Sequence, residues 1–416
     1  MNTPALREIW WLNPGKLLLL FVLPLYLFLV LIVPVVWPDA LVLRAANYMH
    51  FEYVLLGGGA IVALGAPALI GARVDLSPRP FALRSRVSEP LLMLLAALTV
   101  VAYLIWFWPA IVQMRFFMPR DELNRIAGVT SFTQLGVPVV SAYLFARWRN
   151  GQRFSRLMDG LFAAVVVFAA LRVYMWSERL ALIELGIPIL VCGLLYRPFR
   201  RPESRLLYRL VADFGPFLGL GVLLVVFGAT EFVRSWQTYS VTTNQTFGTF
   251  VVSRVTTYYF TALNNGAGML QTSHWPSYEG LWIFGWLYAF PFGVGQTFLD
   301  AVGHREAPHD LFLRQFADPE FNNMSGIFPI FHDAGVVLGL TYFALQGFGF
   351  GLAYRSAVKG EALGALFYPP VLVACMELLR ISYLNGQRCF LIVVGAALLL
   401  ANFRVRVSRP LQARAS

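Results

Sequence analysis

LWIFGWLYAFPFGVGQTFL, residues 281–299, is hydrophobic enough to cross a membrane, and whether it does so decides the orientation of everything after it. A crossing needs about 20 apolar residues to span a hydrocarbon core roughly 30 Å thick. Pro291 and the glycines Gly285, Gly293 and Gly295 suit a broken element better than a continuous span, because proline removes a helical donor and kinks the chain. The charges on either side give a second argument.

The chain is 58% hydrophobic and only 13% charged, far below the charged quarter of a soluble domain. Ten other apolar runs qualify as helices: 17–37, 53–71, 90–112, 130–146, 159–176, 180–196, 210–229, 330–354, 364–384 and 388–403. The expected fold class is therefore all-α, a polytopic transmembrane helical bundle of about ten spans. Basic residues gather at every second exit. Arg73, Arg79, Arg84 and Arg86 follow the second run, Arg147, Arg149, Arg153 and Arg156 the fourth, and Arg197, Arg200, Arg201, Arg205 and Arg209 the sixth. Arg355 and Lys359 follow the eighth, and Arg404, Arg406, Arg409 and Arg414 form the tail. Short cytoplasmic loops retain Lys and Arg, so these exits and the amino terminus, with Arg7 and Lys16, read as cytoplasmic. Arg115, Arg120 and Arg125, beside Asp121 and Glu122, weaken the rule locally without overturning it.

If residues 281–299 crossed once, the loop of Arg355 and the basic tail would both fall outside. Parity thus makes that segment re-entrant or interfacial, inside a large outer loop, residues 230–331, that carries short helices. The loop holds four Arg, no Lys and seven carboxylates, a balance that suits translocation. The net charge of +11 is accounted for by topology, and nucleic-acid binding need not be invoked. The first run reads as an uncleaved signal anchor. Cys192, Cys375 and Cys389 fall in apolar runs with no metal-like or CxxC spacing and read as packing residues. Without an internal repeat, residues 1–416 read as one integral membrane domain with the 230–331 loop within it.

Chemistry-bearing residues collect at the outer end. Arg179 lies at the turn into the sixth run, with Arg172 before it and Glu184 after it. A guanidinium fork binds phosphate oxygens bidentately and stays charged at any pH. Arg234 and Arg254 fall in the loop on the same side, and Arg305 and Arg314 could reach a bound anion there. The stretch VVSRVTTYYFTALNNGAGML supplies Tyr258 and Tyr259, and FNNMSG supplies Asn322 and Asn323. Aromatic faces stack on sugar rings and amides meet sugar hydroxyls. His304, His309, Asp300 and Asp310 match no established ligand spacing, so no metal site is expected. His332 and Asp333 open the eighth run, where a histidine can serve as general base and the aspartate can cap the helix or orient a partner. Gly335 and Gly339 would allow close helix approach. Glu377 and Arg380 sit at i,i+3 in the ninth run, where a mutual salt bridge is expected.

Two of these stretches resemble the oligosaccharide repeat-unit polymerases of bacterial surface polysaccharides, the O-antigen polymerase (Wzy-type) family. Ser177-Glu178-Arg179 resembles the family's small-residue-plus-Arg turn between two helices. FNNMSGIFPIFHDAGVVLGL, with Gly347 and Gly351 downstream, resembles its Asn-containing loop running into an Asp-x-Gly helix. The sequence departs from the pattern at Trp176 and Glu178, where glycine is common near the Arg, and at Ala334, where phenylalanine is common.

The resemblance implies a glycosyltransferase-C-like enzyme of the bacterial inner membrane that polymerises undecaprenyl-diphosphate-linked oligosaccharides at its periplasmic face. His332 and Asp333 would be catalytic, Arg179, Arg234, Arg254, Arg305 and Arg314 would hold the diphosphate, and Tyr258, Tyr259, Asn322 and Asn323 would hold the glycan. The lipid diphosphate is the leaving group, so no cofactor is implied. The expected partners are the lipid-linked glycans and the bilayer, with a chain-length regulator and a flippase. The related O-antigen ligases share the architecture and use a histidine near the end of their large loop, which makes ligation to lipid A core one alternative. A flippase or other transporter is the alternative from another class, favoured by Glu377 and Arg380 at helix depth.

Overall fold

The computed structural model describes residues 9–37, 46–75, 84–113, 126, 128–176, 179–197, 202–232, 236–242, 245–288, 290–303, 308–317 and 321–405. Within these, the side chains of 84–85, 173–176, 179, 202–205, 237–238, 242, 308–309 and 404–405 are not described.

Asn13 starts the first long helix, α1 (Pro14–Val36). Its side chain accepts from the backbone N–H groups of Gly15 and Lys16, and Pro14 takes a position that needs no donor. Then follow α2 (Phe51–Gly71), α3 (Glu89–Val112), α4 (Gly136–Trp148), α5 (Arg156–Trp176), α6 (Arg179–Tyr196) and α7 (Pro202–Glu231). The polar loop carries α8 (Gln237–Thr242), α9 (Phe247–Thr272), α10 (Gly285–Tyr288), α11 (Val294–Ala301) and α12 (Pro308–Phe316). The chain closes with α13 (Phe328–Lys359), α14 (Ala362–Glu377) and α15 (Gln387–Ala401). Each of the ten apolar runs is thus helical over most of its length. Among the described residues, five helices are long and apolar enough to cross a membrane: α1, α2, α3, α7 from Leu206, and α13. The apolar segments Leu180–Tyr196, Ala362–Glu377 and Gln387–Ala401 are shorter.

The ninth run ends earlier than its hydropathy suggests. Helix α14 stops at Glu377, and residues 378–386 form a folded turn that buries Leu378, Leu379 and Tyr383. Those side chains are apolar because they are packed, and burial does not require helix. Glycine packing is also displaced from its expected place. Helix α13 lies against α2 along Gly347 and Gly351, where a Cβ would run into the backbone oxygens of Leu64 and Ala68, with Gly71 opposite.

Residues 281–299 form no continuous helix. They fold into α10 and α11, which pack on one another across a bend at Phe292 and Gly293, both with positive φ. This hairpin lies across α15, with Trp286 stacked on Phe390 at 4.8 Å, and its tip meets Gly128.

The loop's largest element was not expected. Helix α9 is 26 residues long and mostly buried, opened by the Thr246 side chain accepting from Thr249 N–H. It packs against α13, α7 and α12, and against residues 28–32 of α1.

Connections meet at two ends of the bundle. At one, β1 (Arg84–Arg86) pairs antiparallel with β2 (Arg404–Val405), Lys359 pairs with Asp75, and Gly360 abuts Arg149. At the other, Asn264 of α9 bonds to the backbone of Ala46 and Tyr48, and Gly285 abuts Asn385.

Candidate functional site

Helix α9 carries its polar side chains inward. Arg254 is only 6% exposed and stands 3.7 Å from Glu231 at the end of α7. Its guanidinium lies over the rings of Phe321, Tyr239 and Phe250 at 5.0, 5.2 and 5.7 Å. Such stacking offsets part of the cost of removing a cation from water. One turn on, the Tyr258 hydroxyl accepts from the Asn323 amide at 3.0 Å and lies 3.4 Å from Arg380 Nη1. The Phe321 and Tyr258 rings are 6.0 Å apart, edge to face, so a continuous aromatic seam runs between the two arginines.

Asn265 holds this arrangement together. Its amide donates to the backbone oxygens of Phe321 and Asn323, at 2.8 and 3.0 Å, and Ser325 N–H donates to the Ala262 carbonyl. The 321–326 strand of loop is thereby fixed along α9. It is fixed on its other side by the turn after α14, where Gly326 N–H donates to the Leu378 carbonyl.

Arg380 belongs to that turn and lies beyond the end of the helix, with Nε 2.5 Å from Glu377. Burial alone would lower its pKa, but the Glu377 carboxylate, with Tyr258 and Tyr259, outweighs that and raises it above the ordinary arginine value. The salt bridge expected of this pair is present, and Arg380 also reaches Tyr258. Behind it, buried Glu184 of α6 faces Arg388 at 3.7 Å and accepts from the Tyr383 hydroxyl at 3.3 Å. Burial, then the charge of Glu184, pushes the Tyr383 phenol up.

His332 and Asp333 owe their geometry to Gly335. Its φ of 72° and ψ of −177° break α13 just after its first two turns, in a region open essentially to glycine. The carbonyls of His332 and Asp333 then lose their helical donors, and Ser277 and Tyr278 N–H take their place at 2.8 and 2.9 Å. Asp333 Oδ2 accepts from the backbone N–H of Trp282 and Ile283 at 2.6 and 2.9 Å. Residues 277–283 are therefore strapped over the bend by four hydrogen bonds. Beneath the strap, His332 Nδ1 and Asp333 Oδ1 face each other at 3.8 Å, and neither has a hydrogen-bond partner among the described residues. The two side chains are 4% and 1% exposed, so they become accessible only if the strap yields. A cavity of about 20 Å³ nearby, lined by Gly326, Tyr342, Tyr383 and Asn385, has room for a water and none for a sugar ring.

Of the residues expected from sequence, Arg254, Tyr258 and Asn323 come together. Tyr259 packs partly buried on the same helix. Asn322 is exposed beside Asn323, and Arg314 is exposed on α12. Arg179 opens α6, but its side chain, like Arg234, Arg305 and the side chains of His304 and His309, lies outside what is described. Arg172 is buried and covers the Trp106 ring at 4.6 Å. Sequence reading missed Asn265 and the part Arg380 plays. No protein family matches this chain, and neither does any curated protein or solved structure.

Proposed function

We propose that this chain is a membrane glycosyltransferase of the O-antigen polymerase type, crossing the bacterial inner membrane about ten times with its site at the periplasmic end. The observation that carries the reading is the Tyr258 hydroxyl, shared between the Asn323 amide and the Arg380 guanidinium. Sugar-binding and phosphate-binding chemistry meet there at one atom. Support also comes from the resemblance of the Asp333-Ala334-Gly335 bend to the family's Asp-x-Gly helix.

In this reading a sugar hydroxyl of one lipid-linked unit attacks the anomeric carbon of another. Its proton passes to His332, the bond from the anomeric carbon to the diphosphate oxygen breaks, and the lipid diphosphate leaves with the electron pair. Arg254, Arg380 and Arg179 stabilise the departing anion. Arg254 lies 3.7 Å from Glu231, and an incoming diphosphate would compete with that carboxylate for the guanidinium.

The test is polymer formation by the purified protein from undecaprenyl-diphosphate-linked repeat units. His332→Ala and Arg179→Ala should each abolish the ladder while protein abundance is unchanged, and normal chain lengths from both would remove the assignment. Transfer to lipid A core without a ladder would make the protein a ligase. Movement of the lipid-linked unit across proteoliposomes without bond formation would make it a transporter.

A further inference from the structure

We infer that Asp333 is a positioning residue whose two carboxylate oxygens do different work: Oδ2 holds the strap, and Oδ1 fixes which nitrogen of His332 carries the proton. The inference deepens the proposed function and rests on it for the role of His332, though not for the geometry.

Oδ2 is committed. It accepts from Trp282 and Ile283 N–H at once, and those two donors belong to a strap also tied to the His332 and Asp333 carbonyls. The carboxylate therefore cannot turn without breaking its bonds to the Trp282 and Ile283 amides. This leaves Oδ1 pointing at His332 Nδ1, 3.8 Å away, with both atoms sealed from solvent and unpartnered among the described residues.

A buried carboxylate oxygen and a buried imidazole nitrogen do not stay unpaired at no cost. Shortening by about 1 Å makes a normal hydrogen bond, and catalytic contacts commonly tighten in this way when substrate binds. An ionised carboxylate only accepts, so the bond forms only if Nδ1 carries the hydrogen. That leaves Nε2, the far nitrogen of the ring, with its lone pair for the acceptor hydroxyl. The strap closes over the bend and also fixes the base's tautomer.

Asp333→Asn separates the two functions. Its amide oxygen can still accept from Trp282 and Ile283, but its NH2 then faces Nδ1 and donates to it, which forces the hydrogen onto Nε2. Asp333→Ala loses both functions. The experiment uses the full chain in nanodiscs, labelled with 15N-histidine, with His332→Gln to assign the His332 signal among the five histidines. Wild type should show hydrogen on Nδ1, and Asp333→Asn should show it on Nε2. Polymer turnover in Asp333→Asn should fall about 10,000-fold, the usual scale of a wrong-tautomer base, with KM for the lipid-linked donor unchanged. Amide exchange at Trp282 and Ile283 should stay slow in Asp333→Asn and quicken in Asp333→Ala.

Hydrogen on Nε2 in wild type, an unmoved signal in Asp333→Asn, or a moved signal with undiminished turnover would each overturn the inference. A tautomer that switches as described in a wild-type protein that makes no polymer would uphold the positioning by Asp333 and overturn the polymerase reading instead.

Discussion

Arg254 and Glu231 form an ion pair between α9 and α7 in which both side chains are less than a tenth exposed. Removing one partner of a buried ion pair takes that compensation from the charge left behind, typically at about 3–5 kcal/mol, whereas replacing both by apolar side chains of similar size is often neutral. Arg254→Ala should therefore lower the unfolding midpoint in detergent substantially. The double variant Arg254→Met, Glu231→Leu should recover most of it. Polymer formation should be absent from both, and a double variant that is stable and active would remove Arg254 from the diphosphate site.

The Tyr258 hydroxyl gives a milder perturbation at the same place. Tyr258→Phe keeps the ring against Phe321 and the stack under Arg380, at 6.0 and 5.6 Å, and removes the hydroxyl that accepts from the Asn323 amide and lies 3.4 Å from Arg380 Nη1. The stability cost should be about 1 kcal/mol, that of one hydrogen bond. If the glycan lies on this face, KM for the lipid-linked unit should rise more than kcat falls, because Asn323 and Arg380 lose their shared anchor. Steady-state kinetics at varied donor concentration check the split.

Gly335 admits no side chain cheaply. Its backbone angles are strained for any L-residue by about 1–3 kcal/mol. A Cβ there would also come 3.3 Å from Cγ of Pro276, at the root of the strap. In Gly335→Ala the helix should straighten and reclaim the His332 and Asp333 carbonyls, so the Ser277 and Tyr278 amides lose their acceptors. Hydrogen exchange at those two amides should accelerate while α2 and the rest of α13 remain protected. Unchanged protection at both would sink the account of the bend.

The helices and the place of His332 and Asp333 were legible because apolar runs of membrane length and an Asp-x-Gly turn are local signals. Helix α9 was not, because its polar residues lie inside. Arg254, Thr257, Thr261, Asn264 and Gly268 recur at three- and four-residue spacing and all are buried. Hydropathy reads that stripe as an aqueous loop. Its real signature is the helical period of small and amide residues, satisfied by partners such as Tyr48 and Phe321 that lie far off in sequence. Arg380 was hidden for a related reason: its second partner, Tyr258, is 122 residues away, and only the folded chain brings α9 and the turn after α14 together.

The arrangement of connections predicts which side of the membrane each end faces. Strand β1, in the loop after α2, pairs with β2 in the basic tail, and Lys359 reaches Asp75, so three basic connections share one end. That sharing does not depend on their charge, yet it gives the same parity as the distribution of Lys and Arg. The hairpin of α10 and α11 does not form one continuous helix, and its tip residue Phe292 is 81% exposed beside Gly128. A membrane-impermeant maleimide applied to intact spheroplasts should therefore label Phe292→Cys and spare Arg86→Cys, with the order reversed in inverted vesicles. Background is low because Cys192, Cys375 and Cys389 are all buried. Labelling of both positions from the same side would mean that the loop after α2 and the hairpin tip share a face, and it would overturn this orientation.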